Sequence, residues 1–215
     1  MARSSWKTVE KQARIEYEVK KSVFIADVAP VESGEEATDF LRKIKKEFPD
    51  ARHHVYAYRA GSETVEQRYS DDGEPQGTAG MPVLDVIRHQ ELEDLICVVT
   101  RYFGGILLGT GGLTRAYSTA ASQGIEAARP CQMAMLELYH VKLEYSLSEK
   151  FQYAAKKSGF PLGDILYEDK PVIPVYCAKE DKEKLIRLVN DTTSGRAEVT
   201  HIGSSATRIE DAGQS

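Results

Sequence analysis

The chain has 215 residues, 41% of them hydrophobic and 28% charged, with a formal net charge of -5. That balance is ordinary for a folded globular protein. It excludes a polycation that coats nucleic acid over its whole surface, and leaves room only for a local basic cleft. The three cysteines, Cys97, Cys131 and Cys177, are far apart and form no C-x-x-C, so no disulfide framework, zinc site or disulfide-linked partner is expected. The first residues lack an apolar signal-peptide core, and no apolar run approaches the ~20 residues that cross a bilayer. A cytoplasmic location without a membrane partner is the expectation.

Residues 1–14 are polar and read as a frayed terminus. Apolar positions between Ile15 and Val31 predict an early strand, "VFIADVAPV". Next, Ala37, Phe40, Leu41, Ile44 and Phe48 recur at helical spacing, with Arg42, Lys43, Lys45 and Lys46 on the solvated face. "HHVYAYRAG" reads as a strand, and "TVEQRYSDDGEP" as its hairpin partner, closed by Asp-Asp-Gly. "MPVLDVIRHQEL" predicts a short amphipathic helix. Leu95–Phe103 is nearly all apolar, the pattern of a strand buried on both faces. A glycine stretch and a helix rich in small residues follow, ending at Pro130. Beyond it come a strand, a helix over Glu149–Ser158, strands near Gly163–Tyr167 and Val172–Ala178, a second helix and a last strand. This β-α-β-β-α-β order is the split βαβ arrangement. Two domains are expected, 1–131 and 132–215.

The glycine stretch, "RYFGGILLGTGGLTRAY", holds five glycines and two arginines. Glycine inside an element costs about 0.5–1 kcal/mol relative to alanine, so the stretch must serve close approach or unusual dihedrals. A P-loop needs Lys where Thr110 stands, and a dinucleotide fingerprint needs a small residue where Thr114 stands. What remains is a strand–glycine loop–helix context, whose first helical N–H groups lack partners and attract anions. Arg101, Gly104, Gly105, Gly109, Gly111, Gly112, Thr114 and Arg115 are therefore the candidate anion or nucleic-acid site. The alternative is a tight turn whose glycines only permit packing.

A second cluster comprises His53, Ser70, Asp71, Asp72 and Glu74. Three carboxylates within four residues suit a hard cation, but the spacing departs from an EF-hand loop, and Asp-Asp-Gly is also plain turn chemistry. Turn or capping roles are preferred, and no metal or cofactor is expected. His53 and His54, adjacent in a strand, face opposite sides and cannot share one metal. No G-x-S-x-G elbow surrounds Ser70. Among the aromatics near the glycines, Tyr102, Phe103 and Tyr117 are candidates to stack bases, with core packing expected for at least two.

"YSDDGEPQGTAGMPVLDVI" and "VVTRYFGGILLGTGGLTRAY" resemble the two signature segments of the IMPACT family in its bacterial YigZ-type form, and "ARHHVYAYR" is similar to a third. The resemblance spans about residues 15–205. It implies an α+β fold: an N-terminal domain like the second domain of ribosomal protein S5, shared with domain IV of elongation factor G, then a ferredoxin-like domain. The eukaryotic member restrains the amino-acid-starvation kinase through that kinase's co-activator and carries an extra RWD domain; this partner is not carried over here. The resemblance implies a translation-linked regulatory or binding role, with RNA or a ribosome-associated factor as partner. The alternatives are a metal-assisted enzyme on a phosphate-bearing substrate, using Asp71, Asp72 or Glu74, and a protein-interaction module.

Overall fold

The structure is a computed structural model that describes residues 3–61 and 64–209. It is an α+β protein whose chain divides into two compact units, Met1–Gln132 and Met133–Ser215.

In the first unit the elements run β1 (Ser5–Val9), β2 (Ala13–Val19), β3 (Ser22–Pro30), α1 (Gly34–Glu47), β4 (His53–Ala60), β5 (Glu66–Ser70), α2 (Gly80–His89), β6 (Leu95–Tyr102) and α3 (Thr110–Ala127). Five strands form an antiparallel sheet in the order β2-β3-β6-β4-β5. Both of its faces are covered. Cys97 and Val99 of β6 join Phe24, Ala26 and Val28 of β3 in a core with α2 and α3. Their neighbours Ile96 and Val98 point the other way, into a second core with Ala37 and Ile44 of α1. A central strand caught between two helical layers cannot alternate apolar with polar, which explains the unbroken apolar run.

Local chemistry fixes the helices. Ser33 caps α1, its hydroxyl accepting from the Glu36 N–H at 3.2 Å, while the Glu36 carboxylate accepts from the Glu32 N–H at 2.9 Å, close to a capping box. Lys45 and Lys46 occupy its last turn, complementing the dipole. In α3, Ala116, Ala120, Ala121 and Gly124 are buried. A Cβ at Gly124 would stand 3.1 Å from both Ala26 Cβ and Val28 Cγ2, so the small residues let α3 lie close on β3.

The second unit contains β7 (Pro130–Lys142) from Met133 onward, α4 (Tyr145–Lys157), β8 (Leu166–Tyr167), β9 (Pro171–Cys177), α5 (Lys182–Thr193) and β10 (Glu198–Ile209). β7, β9 and β8 are neighbours in that order, with β10 on the other side of β7. Phe151 and Ala155 of α4 and Leu185 and Val189 of α5 pack against Tyr139, Val141, Ile173 and Val175. Among the described residues no helix is long and apolar enough to cross a membrane.

Four expectations are corrected. Residues 5–9 and 13–14 are strand rather than a frayed terminus. Val9 is buried, the Thr8 hydroxyl donates to the Asp94 carbonyl at 3.0 Å, and the Glu93 N–H donates to the Lys7 carbonyl at 2.8 Å. These are long-range bonds that local polarity hides. Residues 1 and 2 of that segment lie outside the described residues. The single early strand is two, β2 and β3, folded back at Lys20-Lys21. The helix expected over Glu149–Ser158 begins at Tyr145, and the strand expected from Gly163 shrinks to Leu166–Tyr167, its front half held by the Gly163 N–H to the Pro174 carbonyl at 2.9 Å.

Candidate functional site

β6 delivers the chain to the glycine stretch at Arg101, the last buried residue before it. Gly104 turns over the β2–β3 hairpin, its N–H donating to the Ser22 hydroxyl at 3.1 Å. A Cβ here would stand 2.0 Å from the Lys21 carbonyl carbon, so only glycine fits. The loop then rises into solvent, with Phe103, Ile106 and Leu107 exposed by 55%, 44% and 83%. Gly109 is the N-cap of α3 at φ 73°, a left-handed dihedral that glycine adopts without strain. The first intrahelical bond is Leu113 N–H to the Gly109 carbonyl, 2.9 Å. The N–H groups of Thr110, Gly111 and Gly112 precede it, and no side chain caps them. Nothing would lie within 4 Å of a Cβ at Gly105, Gly109 or Gly111, and Gly112 touches only Leu108. The helix end is open to solvent.

The two arginines part company. Arg115 is exposed beside Thr114 on the first turns of α3. Among the described residues it has no ion-pair partner. Arg101 is a buried strut: its Nη1 donates to Glu74 Oε1 at 2.6 Å, with side-chain exposures of 7% and 4%. The same oxygen accepts from the Tyr117 hydroxyl at 2.7 Å. Burial, then the Glu74 charge, pushes the Tyr117 pKa far above its usual value, so the phenol stays a donor. The pairing of Arg101 and Arg115 as two walls of one anion site is therefore corrected. Arg101 instead ties the glycine loop, α3 and the "SDDGEP" segment together.

The second cluster diverges into structural roles. The Asp71 carboxylate accepts from the N–H groups of Gly77 at 2.9 Å, Ala79 at 3.1 Å and Gly80 at 2.8 Å, organising the loop and capping α2 from upstream. Ser70 accepts from the Asp72 N–H at 3.1 Å. Asp72 Oδ2 accepts from the His54 N–H at 2.7 Å, its Oδ1 pairs with Lys45 at 3.2 Å, and its carbonyl stands 2.9 Å from His53 Nδ1. His54 is buried with Nε2 donating to the Phe48 carbonyl at 3.0 Å. Burial holds its pKa below the ordinary imidazole value, against Phe48 and Asp72, which favour the charged ring. Among the described residues no three His, Cys, Asp or Glu side chains gather as a metal-holding group. A reaction using these carboxylates would first break the bonds that shape the loop.

Of the three candidate stacking residues, Tyr117 is fully buried, and Tyr102 is half-buried with its hydroxyl donating to Asp50 at 2.8 Å. Phe103 alone is exposed. Burial raises the thiol pKa of Cys97 far above its usual value and pushes that of Cys177 up to about 11, so neither is a nucleophile. Sequence reasoning missed Lys20 and Lys21, the exposed turn on which Gly104 rests. Both take left-handed dihedrals, φ 47° and 64°, in a turn where Asn-Gly is the usual signal. It missed Tyr117 as a partner of Glu74 as well.

Comparison with known proteins supplies the family. The Impact N-terminal domain profile matches residues 20–125. IMPACT family member YvyE of Bacillus subtilis is 34% identical over 91% of this chain and 90% of its own length. IMPACT family member YigZ of Escherichia coli is 39% identical over 66% of this chain and 70% of its own. Protein IMPACT of Mus musculus is 38% identical, over 42% of this chain and 29% of its own length. A solved structure titled "Crystal structure of an hypothetical protein" matches with a TM-score of 0.60 and 30% identity, covering 93% of this chain and 98% of its own. Glycine loop and aspartate loop both fall within the matched segment, and with the Bacillus subtilis relative aligned along nearly the whole length of both chains, the chain belongs to the IMPACT family.

Proposed function

We propose that this chain is a translation-linked binding protein that holds RNA, or an RNA-bearing surface associated with the ribosome, by its phosphates at the amino end of α3. One observation carries the reading: an exposed helix start with no side-chain cap, with exposed Arg115 on its first turns and the exposed Lys20-Lys21 turn packed against Gly104 in the loop that leads to it. Phosphate oxygens satisfy such donors without reading bases. The strand order β10-β7-β9-β8 with two helices supports a ferredoxin-like second unit. An S5 domain 2-like first unit is the companion reading. Both folds occur in proteins that work on the ribosome, an argument by analogy that only adds weight. The cytoplasm, where such partners reside, is the proposed location. Regulation of the starvation kinase is not transferred, because the segment shared with the mouse protein is 29% of that protein.

Amide hydrogen exchange tests the reading. Mixed-sequence RNA should slow exchange at Thr110–Thr114, and high inorganic phosphate should do so to a lesser degree. RNA binding that leaves those amides unchanged would refute the assignment. The exposure of Ile106 and Leu107 favours a second reading, a protein-docking tip, which predicts no RNA-dependent protection there at all.

A further inference from the structure

We infer that the nucleic acid held at this site is single-stranded RNA, bound with an unstacked base on Phe103. The inference rests on the RNA reading above and adds the form of the ligand. Phe103 is 55% exposed, yet its ring is not loose: the Arg101 guanidinium lies 5.6 Å from the ring centroid, and Arg101 is itself fixed by Glu74 at 2.6 Å. A ring supported from one side and open on the other is a preformed platform, and little ordering is required when a base lands on it. Ile106 and Leu107, three and four positions further along the same loop, are exposed as well.

Charge complementarity says what covers this patch. Lys20 and Lys21, in the turn that packs against the adjacent Gly104, and Arg115 on the first turns of α3 are all exposed, and among the described residues none of the three forms an ion pair with a carboxylate. The first turn of α3 likewise contains no acidic residue. The occupant must therefore bring negative charge and apolar faces together. A duplex offers phosphates but keeps its base faces stacked inside, so Phe103, Ile106 and Leu107 would meet only backbone. A single strand offers both, with free π-faces for the aromatic and phosphates for the cations. The chain's net charge of -5 also opposes the broad cationic face that a shape-read duplex requires.

Fluorescence anisotropy with a labelled oligouridylate, and with an RNA duplex of equal length, decides the point. The single strand should bind at least tenfold more tightly than the duplex. Phe103→Leu, which keeps apolar area but removes the π-face, should weaken it about tenfold, whereas Phe103→Tyr should retain it. Because Phe103 is exposed, both variants should melt like the wild type. Equal binding of both RNAs, with Phe103→Leu unchanged, overturns this inference and leaves the RNA reading standing. Failure of both RNAs to bind overturns the two together and assigns the apolar tip to a protein partner.

Discussion

Glu74→Ala should be among the most damaging single substitutions in the first unit. One carboxylate oxygen accepts from Arg101 at 2.6 Å and Tyr117 at 2.7 Å, and the charged pair is 7% and 4% exposed. Removing Glu74 strands a buried guanidinium, which costs about 3–5 kcal/mol. The unpaired Tyr117 hydroxyl adds about 1–3 kcal/mol, less than additively because both donors share one acceptor. The expected loss is about 4 kcal/mol, much of the stability of an ordinary domain. Replacing both charges with apolar residues, Glu74→Leu with Arg101→Met, should recover most of it, leaving about 1–2 kcal/mol for the tyrosine. Adding Tyr117→Phe should remove that remainder. Urea denaturation followed by circular dichroism, with slopes compared between variants, reads these differences. A loss under about 1 kcal/mol for Glu74→Ala, or a double variant as unstable as the sum of the singles, would show that the three groups are not a dry, coupled strut.

Asp71→Ala removes the acceptor for three N–H groups and should cost about 1–2 kcal/mol, as for a lost helix cap; exchange at Gly77–Gly80 should rise well before global unfolding. His54, with its folded pKa depressed by burial below 6.5, contributes stability that is present above pH 6.5 and lost as pH falls through the depressed value. Urea midpoints measured across that window should therefore decline on acidification, and His54→Gln should flatten the decline. Gly104→Ala, whose Cβ would strike the Lys21 backbone, should lower the melting temperature and loosen the β2–β3 turn, seen as faster exchange at Ser22.

The elements legible in the sequence were those with strong local periodicity. Ile44 and Phe48 marked α1, and the apolar run from Leu95 marked β6, because a strand buried on both faces needs no polar relief. β1 was not legible, since Ser5–Val9 is held by Asp94 and Leu92, residues far away in the chain. The strand that follows Pro130 was visible in outline, and it runs without a break from Pro130 to Lys142 as β7. At the site, the glycines signalled an open helix start. The partners of the two arginines did not show, because Glu74 reaches Arg101 across 27 positions and nothing in the spacing distinguishes a buried arginine from an exposed one. Asp71 was readable as turn chemistry; its hold on α2 was not, because the capping residue sits eight positions before the N-cap.

The most direct test of the account is the salt dependence of single-stranded RNA affinity in the wild type and in Arg115→Ala. Arg115 is exposed and has no ion-pair partner among the described residues, so the variant should melt at the wild-type temperature. Its affinity should fall by about 1–3 kcal/mol at low salt, and the slope of log affinity against log salt should become shallower by about 0.7, one phosphate contact on a single strand. An unchanged affinity and slope, with a lowered melting temperature, would contradict the account: Arg115 would then be a strut like Arg101, and the glycines would serve packing alone.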